Sequence, residues 1–419
     1  MSIAFDWTAP SLRIGEGCID EVGGELAALG ARRVLLFTDA GVRAAGWPDR
    51  VAESARSAGI DCVVYDQVRI EPDDASITSA VEHARDLGPF QAVVAVGGGS
   101  SIDTAKAVSL LLTSGGVVHD YLNAPLGRAQ PPRAPLLPLV AVPTTAGTGS
   151  ECTAVAVVDL RDRQVKTGIS HPSLRPTRAF VDPQVTVSLP PGVTAASGMD
   201  VLGHALEAYT ARPYTSLPPA KPGERVYWGA NPISDVWVEQ ALALLARALR
   251  QAVTRGDDLA ARTAVMLAAT YAGMGFGNAG VHIPHAAAYP IAGQVRDYKP
   301  SGYPTDHPMI PHGQAVSLTT PATFRTTFPT SPERHVRAAE ILDPTTVDLD
   351  PPERLPTALV RLMRDIRVPS GLAEVGYGEN DLDTLVAGTL QQERILALAP
   401  LPPTSEDLHQ IMASSLHNW

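Results

Sequence analysis

Short runs of branched apolar residues alternate with helix-period segments through the first half of the chain. "RRVLLFTDAG" (32–41) reads as a strand ending in a polar turn, "WPDRVAESARSAG" (47–59) as a helix and "IDCVVYDQV" (60–68) as the next strand. "DDASITSAVEHARDLG" (73–88) is again helical, and "QAVVAVGGGS" (91–100) is a strand running into a glycine turn. A helix over "IDTAKAVSLLLTSG" (102–115) and a strand and loop over "PLVAVPTTAGTGSE" (138–151) continue the series. This β-α-β-α order predicts a parallel sheet wound with helices.

Beyond about residue 190 the period changes. "VTAASGMDVLGHALEAYTA" (193–211), "ISDVWVEQALALLARALRQAV" (233–253) and "LAARTAVMLAATYAGMGFGNAG" (259–280) all carry helical apolar spacing, and little β-rich sequence remains. The expectation is an α/β N-terminal domain over residues 1–190 and an all-helical C-terminal domain over 191–419, with the site in the cleft between them. The Pro-rich segment "RPYTSLPPAKPGERVYWGANP" (212–232) is too long for a simple connector; it reads equally as a functional loop or a surface insertion.

Composition narrows the class. Hydrophobic residues make up 45% and charged residues 18%, as in a globular protein with a large core. The net charge of -11 argues against a nucleic-acid partner. The 3 cysteines, Cys18, Cys62 and Cys152, form no CxxC pair, so neither a disulfide framework nor a thiolate metal site is expected. The opening "MSIAFDWTAPSLRIGEG" lacks the pattern of a signal peptide, and the longest apolar runs fall short of a membrane span. A soluble cytoplasmic protein with no membrane partner is the expectation.

Two polar loops follow successive strands. "VAVGGGSSIDTAK" sets Gly97, Gly98 and Gly99 between a strand and a helix, where backbone N–H groups and the helix N-terminus suit a phosphate. Ser100, Ser101 and Asp103 offer oxygens for helix capping or for a ribose. The loop matches neither G-x-G-x-x-G nor a P-loop, and a plain tight turn remains the other reading. "PTTAGTGSE" then crowds Thr144, Thr145, Thr148 and Ser150 at the end of a later strand, on the edge where parallel sheets bind ligands. Asp39, at an earlier strand end, suits either a helix cap or the ribose of NAD.

A third constellation lies in the helical half. "SGMDVLGHALEAY" puts Asp200 and His204 at i, i+4 on one helix face among apolar neighbours. They suit a buried hydrogen-bonded pair, or half of a metal site. "GVHIPHAAAYPIAG" contributes His285, and "HPMIPHGQAVSL" contributes His312 at a helix start. One carboxylate and three imidazoles suit a divalent transition metal, Fe²⁺ or Zn²⁺, and not an oxygen-preferring ion.

Taken together, "GGGSSIDTAK", "PTTAGTGSE", "VDPQVTVSLPPGVTAASGMDVLGHALEAY" and "PHG", in order along nearly the whole chain, resemble the iron-dependent (group III) alcohol dehydrogenases. The Pro-rich insertion, "GFGNAGVHIPHAAAYPIAG", "DYKPSGYPTDHPMIPHGQAVSLTTPATF" and "LVAGTLQQERILALAPLPPTSEDL" are most similar to the transhydrogenase branch of that family. The resemblance implies a dinucleotide-binding α/β domain followed by a helical metal-binding domain. It implies Asp200, His204, His285 and His312 as metal ligands. It implies Gly97, Gly98, Gly99, Ser100, Asp103, Thr144, Thr145, Thr148 and Lys166 at the NAD site, with Asp39 favouring NAD over NADP.

The resemblance also implies an exchange of hydride, through retained NAD, between a hydroxy acid and an oxo acid. The pair would be 4-hydroxybutyrate and 2-oxoglutarate, giving succinic semialdehyde and 2-hydroxyglutarate. The alternatives are an NAD-dependent alcohol or aldehyde dehydrogenase that releases NADH and, more remotely, a non-catalytic binding protein. Many family members carry a second histidine four residues after the ligand; here Tyr289 stands there, as in the transhydrogenase branch, a site-wall residue with a hydroxyl for proton transfer. His282 reads as a support to the metal ligands or as a satisfied core histidine. Lys299, Arg296 and Arg225 are candidate anchors for a substrate carboxylate, and equally plain surface cations. A homodimer or larger homo-oligomer is expected from the resemblance alone.

Overall fold

The apolar runs of the first half become the strands of one twisted sheet. The computed structural model describes residues 4–419 apart from 164, 222, 224, 304 and 306. The chain divides into two units: Thr8–Ser188 with Lys221–Val226, and Leu189–Ala220 with Tyr227–Trp419 and the N-terminal stretch through Trp7.

The first unit runs β1 (Ser11–Ile14), α1 (Val22–Ala28), β2 (Arg33–Phe37), α2 (Ala40–Ala44), α3 (Trp47–Ser57), β3 (Asp61–Tyr65), α4 (Asp74–Leu87), β4 (Ala92–Gly97), α5 (Gly99–Ser114), α6 (Val118–Tyr121), β5 (Leu139–Pro143), β6 (Val155–Leu160), β7 (Val165–Ser170) and β8 (Arg178–Val181). Six strands form a parallel sheet in the order β1-β8-β5-β4-β2-β3, while β6 and β7 pair separately and antiparallel. β4 and β5 are buried at every position, because helices cover both faces of a parallel sheet. Val34, Leu36, Val94, Val96, Val140 and Val142 form one apolar layer with Val22, Leu26, Val51 and Ala55 of α1 and α3. The chain leaves β2 outward to β3, then returns to the other side of β2 for β4. That reversal opens a crevice at the carboxyl ends of β2 and β4, the place where such sheets take ligands.

The second unit is built from α7 (Pro191–Thr210), α8 (Pro232–Thr254), α9 (Leu259–Ala279), α10 (Ile283–Gly293), α11 (His312–Thr327), α12 (Pro332–Leu342), α13 (Pro351–Asp365), α14 (Leu382–Leu390), α15 (Glu393–Leu396) and α16 (Ser405–Ser414). α7 packs against α8, α9 and α11 and is buried almost all round. Its glycines make this possible: a β-carbon on Gly198 would lie 2.2 Å from a Leu249 methyl of α8. No helix of the described residues is long and apolar enough to cross a membrane.

Candidate functional site

α7 carries Asp200 and His204 one turn apart, α10 carries His285 in its first turn, and α11 begins at His312. All four belong to the helical unit. One oxygen, Asp200 Oδ1, gathers them: it lies 3.5 Å from His285 Nε2, 3.8 Å from His312 Nε2 and 3.9 Å from His204 Nε2. The tightest set is Asp200, His285 and His312, whose donor atoms all fall within 4.8 Å of one another. The His204 ring is held by stacking on Phe276, with centroids 3.8 Å apart, and by the neighbouring His285 ring at 4.5 Å. Asp200, His204 and His285 are buried, and His312 keeps 33% of its side chain exposed. Asp200 Oδ1 and His285 Nε2 are buried with no hydrogen-bond partner. Such groups are costly unless something pairs with them. A carboxylate oxygen clustered with the imidazoles of His285 and His312, and with the His204 imidazole 3.9 Å from the same oxygen, is the donor chemistry of a divalent transition metal, so the residues fit the ion that the sequence implies.

Burial pushes the Asp200 carboxyl up, but His204, His312 and His285 together hold it well below the usual carboxylate range. Burial pushes His204 down to about 3, leaving it neutral, as a ligand must be. His285 behaves differently. Burial pulls it down, yet the carboxylates of Glu207 and Asp200 raise it to about 9. Glu207 was not singled out from the sequence. It lies seven residues after Asp200, so Asp200, His204 and Glu207 share one face of α7. That i, i+4, i+7 recurrence of polar residues inside an apolar helix was the available signal.

Tyr289 is buried on α10, its ring 6.1 Å from the His312 ring. His282 is wholly buried beside the ligands, and its Nε2 meets Thr210 Oγ1 at 3.0 Å. The Thr210 hydroxyl already donates to the Leu206 carbonyl, so it accepts from His282. Lys299 is exposed. Arg296 is paired with Asp381, and Arg225 belongs to the sheet unit.

Within the sheet unit, three strand ends assemble the loops. β2 pairs with β4 and β4 with β5, so Asp39, Gly97–Gly99 and Thr144–Thr148 meet at one carboxyl edge. Thr144 N–H donates to Gly97 O at 3.0 Å. A β-carbon on Gly98 would sit 3.2 Å from Thr145 Oγ1, and one on Gly99 only 2.8 Å from Thr148 Cγ2. The glycines therefore let the two loops nest, leaving a backbone cradle at the start of α5. The Thr144 hydroxyl is buried there with no hydrogen-bond partner. Asp39 caps α2 through Oδ1, at 2.9 Å from Gly41 N and 3.0 Å from Val42 N. Its Oδ2 lies next to Gly97. The loop residues thus fit a dinucleotide.

Not every expected contact faces that edge. Asp103 turns inward: it accepts from Ser150 Oγ at 2.6 Å and from Val157 N at 3.0 Å, and lies 3.5 Å from Lys106 Nζ. Ser100 Oγ accepts from Glu71 N, and Lys166, on β7, is paired with Glu71 Oε1. Lys106, unmarked in the sequence reading, is buried and donates to Ser150 O, Ser150 Oγ, Thr153 Oγ1 and Val155 O. Its sequence signal was a lone cation inside the apolar stretch "IDTAKAVSLLL".

Comparison with known proteins supplies the context. Residues 9–183 match the model of the iron-containing alcohol dehydrogenases, and residues 225–416 match that of the C-terminal part of the Fe-containing alcohol dehydrogenase family. The chain is 46% identical over 420 residues to the mitochondrial hydroxyacid-oxoacid transhydrogenase of Bos taurus, covering 99% of this chain and 90% of that protein. Among solved structures, a 1,3-propanediol oxidoreductase superposes with a TM-score of 0.86 at 30% identity, over 98% of this chain and 100% of that one. The sulfoacetaldehyde reductase of Bifidobacterium kashiwanohense, solved with NAD+, gives 0.82 at 26%, over 99% and 100%. One expectation falls. The relative that matches nearly the whole chain is a mitochondrial enzyme, which points to the mitochondrion and overturns the cytoplasmic reading.

Proposed function

This chain belongs to the iron-containing alcohol dehydrogenase family, and on that footing we propose that it passes hydride through NAD between a hydroxy acid and an oxo acid. The observation that supports the reading most is the convergence of three imidazole Nε2 atoms on Asp200 Oδ1 within 3.9 Å. In this proposal Asp200, His204, His285 and His312 hold the ion, iron in preference to zinc. A divalent cation there supplies Lewis acidity, which acidifies a substrate hydroxyl and polarises a substrate carbonyl. NAD supplies the ring that carries the hydride.

The chain's own residues do the rest. Gly97, Gly98 and Gly99 present backbone N–H groups to the dinucleotide phosphates, with the N-terminus of α5 adding partial positive charge. Thr144, Thr145 and Thr148 donate hydroxyls to the same ligand. Asp39 offers Oδ2 to the adenine ribose while Oδ1 stays on its helix cap. Asp103, Ser100 and Lys166 act from behind the loops, since their polar atoms already face the protein. Tyr289 walls the substrate site and offers its phenol to the moving proton, and His282 supports that wall from the buried side. Lys299, being exposed, is the retained candidate for a substrate carboxylate. In this scheme residues 1–190 serve the dinucleotide and 191–419 the metal and substrate, in a homodimer or larger assembly.

The test is exchange without added cofactor. Purified protein given 4-hydroxybutyrate and 2-oxoglutarate, but no NAD, should form succinic semialdehyde and 2-hydroxyglutarate in equal amounts. Stoichiometric accumulation of NADH from the hydroxy acid and added NAD alone, with no response to the oxo acid, would replace the exchange by ordinary dehydrogenation.

A further inference from the structure

Glu207 is fully buried, and each of its carboxylate oxygens is engaged by α10. Oε2 accepts the backbone N–H of His282 at 2.6 Å and that of His285 at 3.4 Å. Oε1 lies 2.6 Å from Nδ1 of the His285 ring. These bonds follow from helix geometry. α10 begins at Ile283 with His282 at its N-cap, so His282 and His285 present N–H groups that have no partner inside the helix. Of the two residues between them, Pro284 has no N–H to offer. His282 makes no capping bond with its own side chain. A carboxylate from α7 therefore caps α10 from outside, and the same carboxylate reaches the imidazole in the first turn.

The ring contact sets a direction. A carboxylate can only accept, so Nδ1 carries the hydrogen and donates it. Nε2 is left as the nitrogen that gives up its proton when an ion binds, and it faces Asp200 Oδ1 at 3.5 Å. Gly203, beside this pair on α7, lets α11 approach: a β-carbon there would lie 2.6 Å from Val316 Cγ1.

We propose that Glu207 is the positioning residue of the metal centre, locking His285 in the tautomer and orientation in which Nε2 binds the ion while fastening the start of α10 to α7. The inference rests on the metal reading above. A carboxylate behind a ligating imidazole fixes its ring and raises its donor strength, and removing such a partner lowers metal affinity by about 10–100-fold. Glu207→Gln retains one acceptor for Nδ1–H, but turns an NH₂ toward backbone N–H groups that can only donate.

The experiment uses full-length protein stripped with chelator and titrated with Zn²⁺, and with Co²⁺ followed by its visible absorption. Glu207→Gln should weaken both ions by about 10–100-fold and alter the Co²⁺ spectrum, while Asp200→Ala should abolish tight binding. Wild-type affinity and an unaltered spectrum in Glu207→Gln would overturn the proposal, provided Asp200→Ala loses the ion. An Asp200→Ala protein that binds as tightly as wild type would overturn the metal reading itself. Because Glu207→Gln also removes a helix cap and can fail to fold, a second measurement uses the wild type. Nitrogen-15 spectra of Zn²⁺-loaded, histidine-labelled protein should show a proton on His285 Nδ1 and none on Nε2. A bare Nδ1 would overturn the lock.

Discussion

Gly313 stands where α11 crosses α7 so closely that a β-carbon on it would lie 2.6 Å from Cβ of Asp200. The same atom would come 2.1 Å from the carbonyl oxygen of Ala196, and neither of these contacts is the end of a flexible chain. The close crossing is what sets His312, the preceding residue, 3.8 Å from Asp200 Oδ1. Gly313→Ala must push the two helices apart. Overpacking of this kind costs about 1–3 kcal/mol. The expected outcome is a lowered melting temperature together with weaker retention of metal. A variant with wild-type metal content and stability would show that the crossing is not what builds the centre.

Asp39 has two duties at two oxygens, and they can be separated. Oδ1 caps α2, a bond that an asparagine side chain also makes. The charge at Oδ2 repels an added 2′-phosphate. Asp39→Asn should therefore leave stability nearly unchanged while shifting the preference between NADP and NAD toward NADP by about tenfold, or about 1.4 kcal/mol. Competitive binding of the two dinucleotides to cofactor-free protein measures it. An unchanged ratio would leave Asp39 as a helix cap alone.

Strand and helix periods in the sequence located the elements that carry the site, because β4, β5 and α7 to α9 are long and strongly patterned. Boundaries slipped where a side chain stops an element. The strand expected over 32–41 ends at Phe37 because Asp39 begins α2, and α5 starts at Gly99, three residues ahead of the expected helix. β1 and β8 are four residues each, too short for a period to show. The candidate ligands were legible because their residue types are rare in apolar helices. Glu207 and Lys106 were not, since what matters for each is a partner 78 or 44 residues away. Asp103 illustrates the same limit: its position suggested a ribose, and only packing reveals that its carboxylate turns toward Ser150 and Val157.

Lys106 ties α5 to the segment after the threonine loop. Its ammonium donates to four oxygens of Ser150, Thr153 and Val155, and Asp103 is its nearby counter-charge. Lys106→Met removes the donors and leaves Asp103 buried beside no cation. Breaking a buried pair from one side costs about 3–5 kcal/mol. Denaturant unfolding should show that loss in Lys106→Met, and the double variant Asp103→Asn with Lys106→Met should recover part of it, because the stranded charge is gone. Strict additivity of the two substitutions would mean the residues do not act as a pair.

Three buried histidines, His204, His282 and His335, make the helical unit acid-sensitive, and His204, pushed down to about 3, titrates with the other two. Burial pushes His282 down to about 4, and burial also lowers His335, whose Nδ1 donates to Ser331 O at 2.9 Å and whose Nε2 meets Thr327 Oγ1 at 3.0 Å. His282 is neutral in the folded protein at pH 6, and the fold holds His335 below its ordinary value, whereas the unfolded chain takes up protons as pH falls through 6.5. The unfolded state then binds more protons, so stability falls with falling pH. The loss from His282 runs from 6.5 down to about 4, and its total is about 3 kcal/mol. Carboxylates that the fold holds low also cost stability in acid, but only as the unfolded chain begins to protonate them, below about pH 5. The window between pH 6.5 and 5 therefore isolates the histidines. Urea unfolding of chelator-treated protein across that window should show a steady decline, and His335→Gln, which has no proton to gain, should show a shallower one. An equally steep decline in the variant would place the acid sensitivity elsewhere.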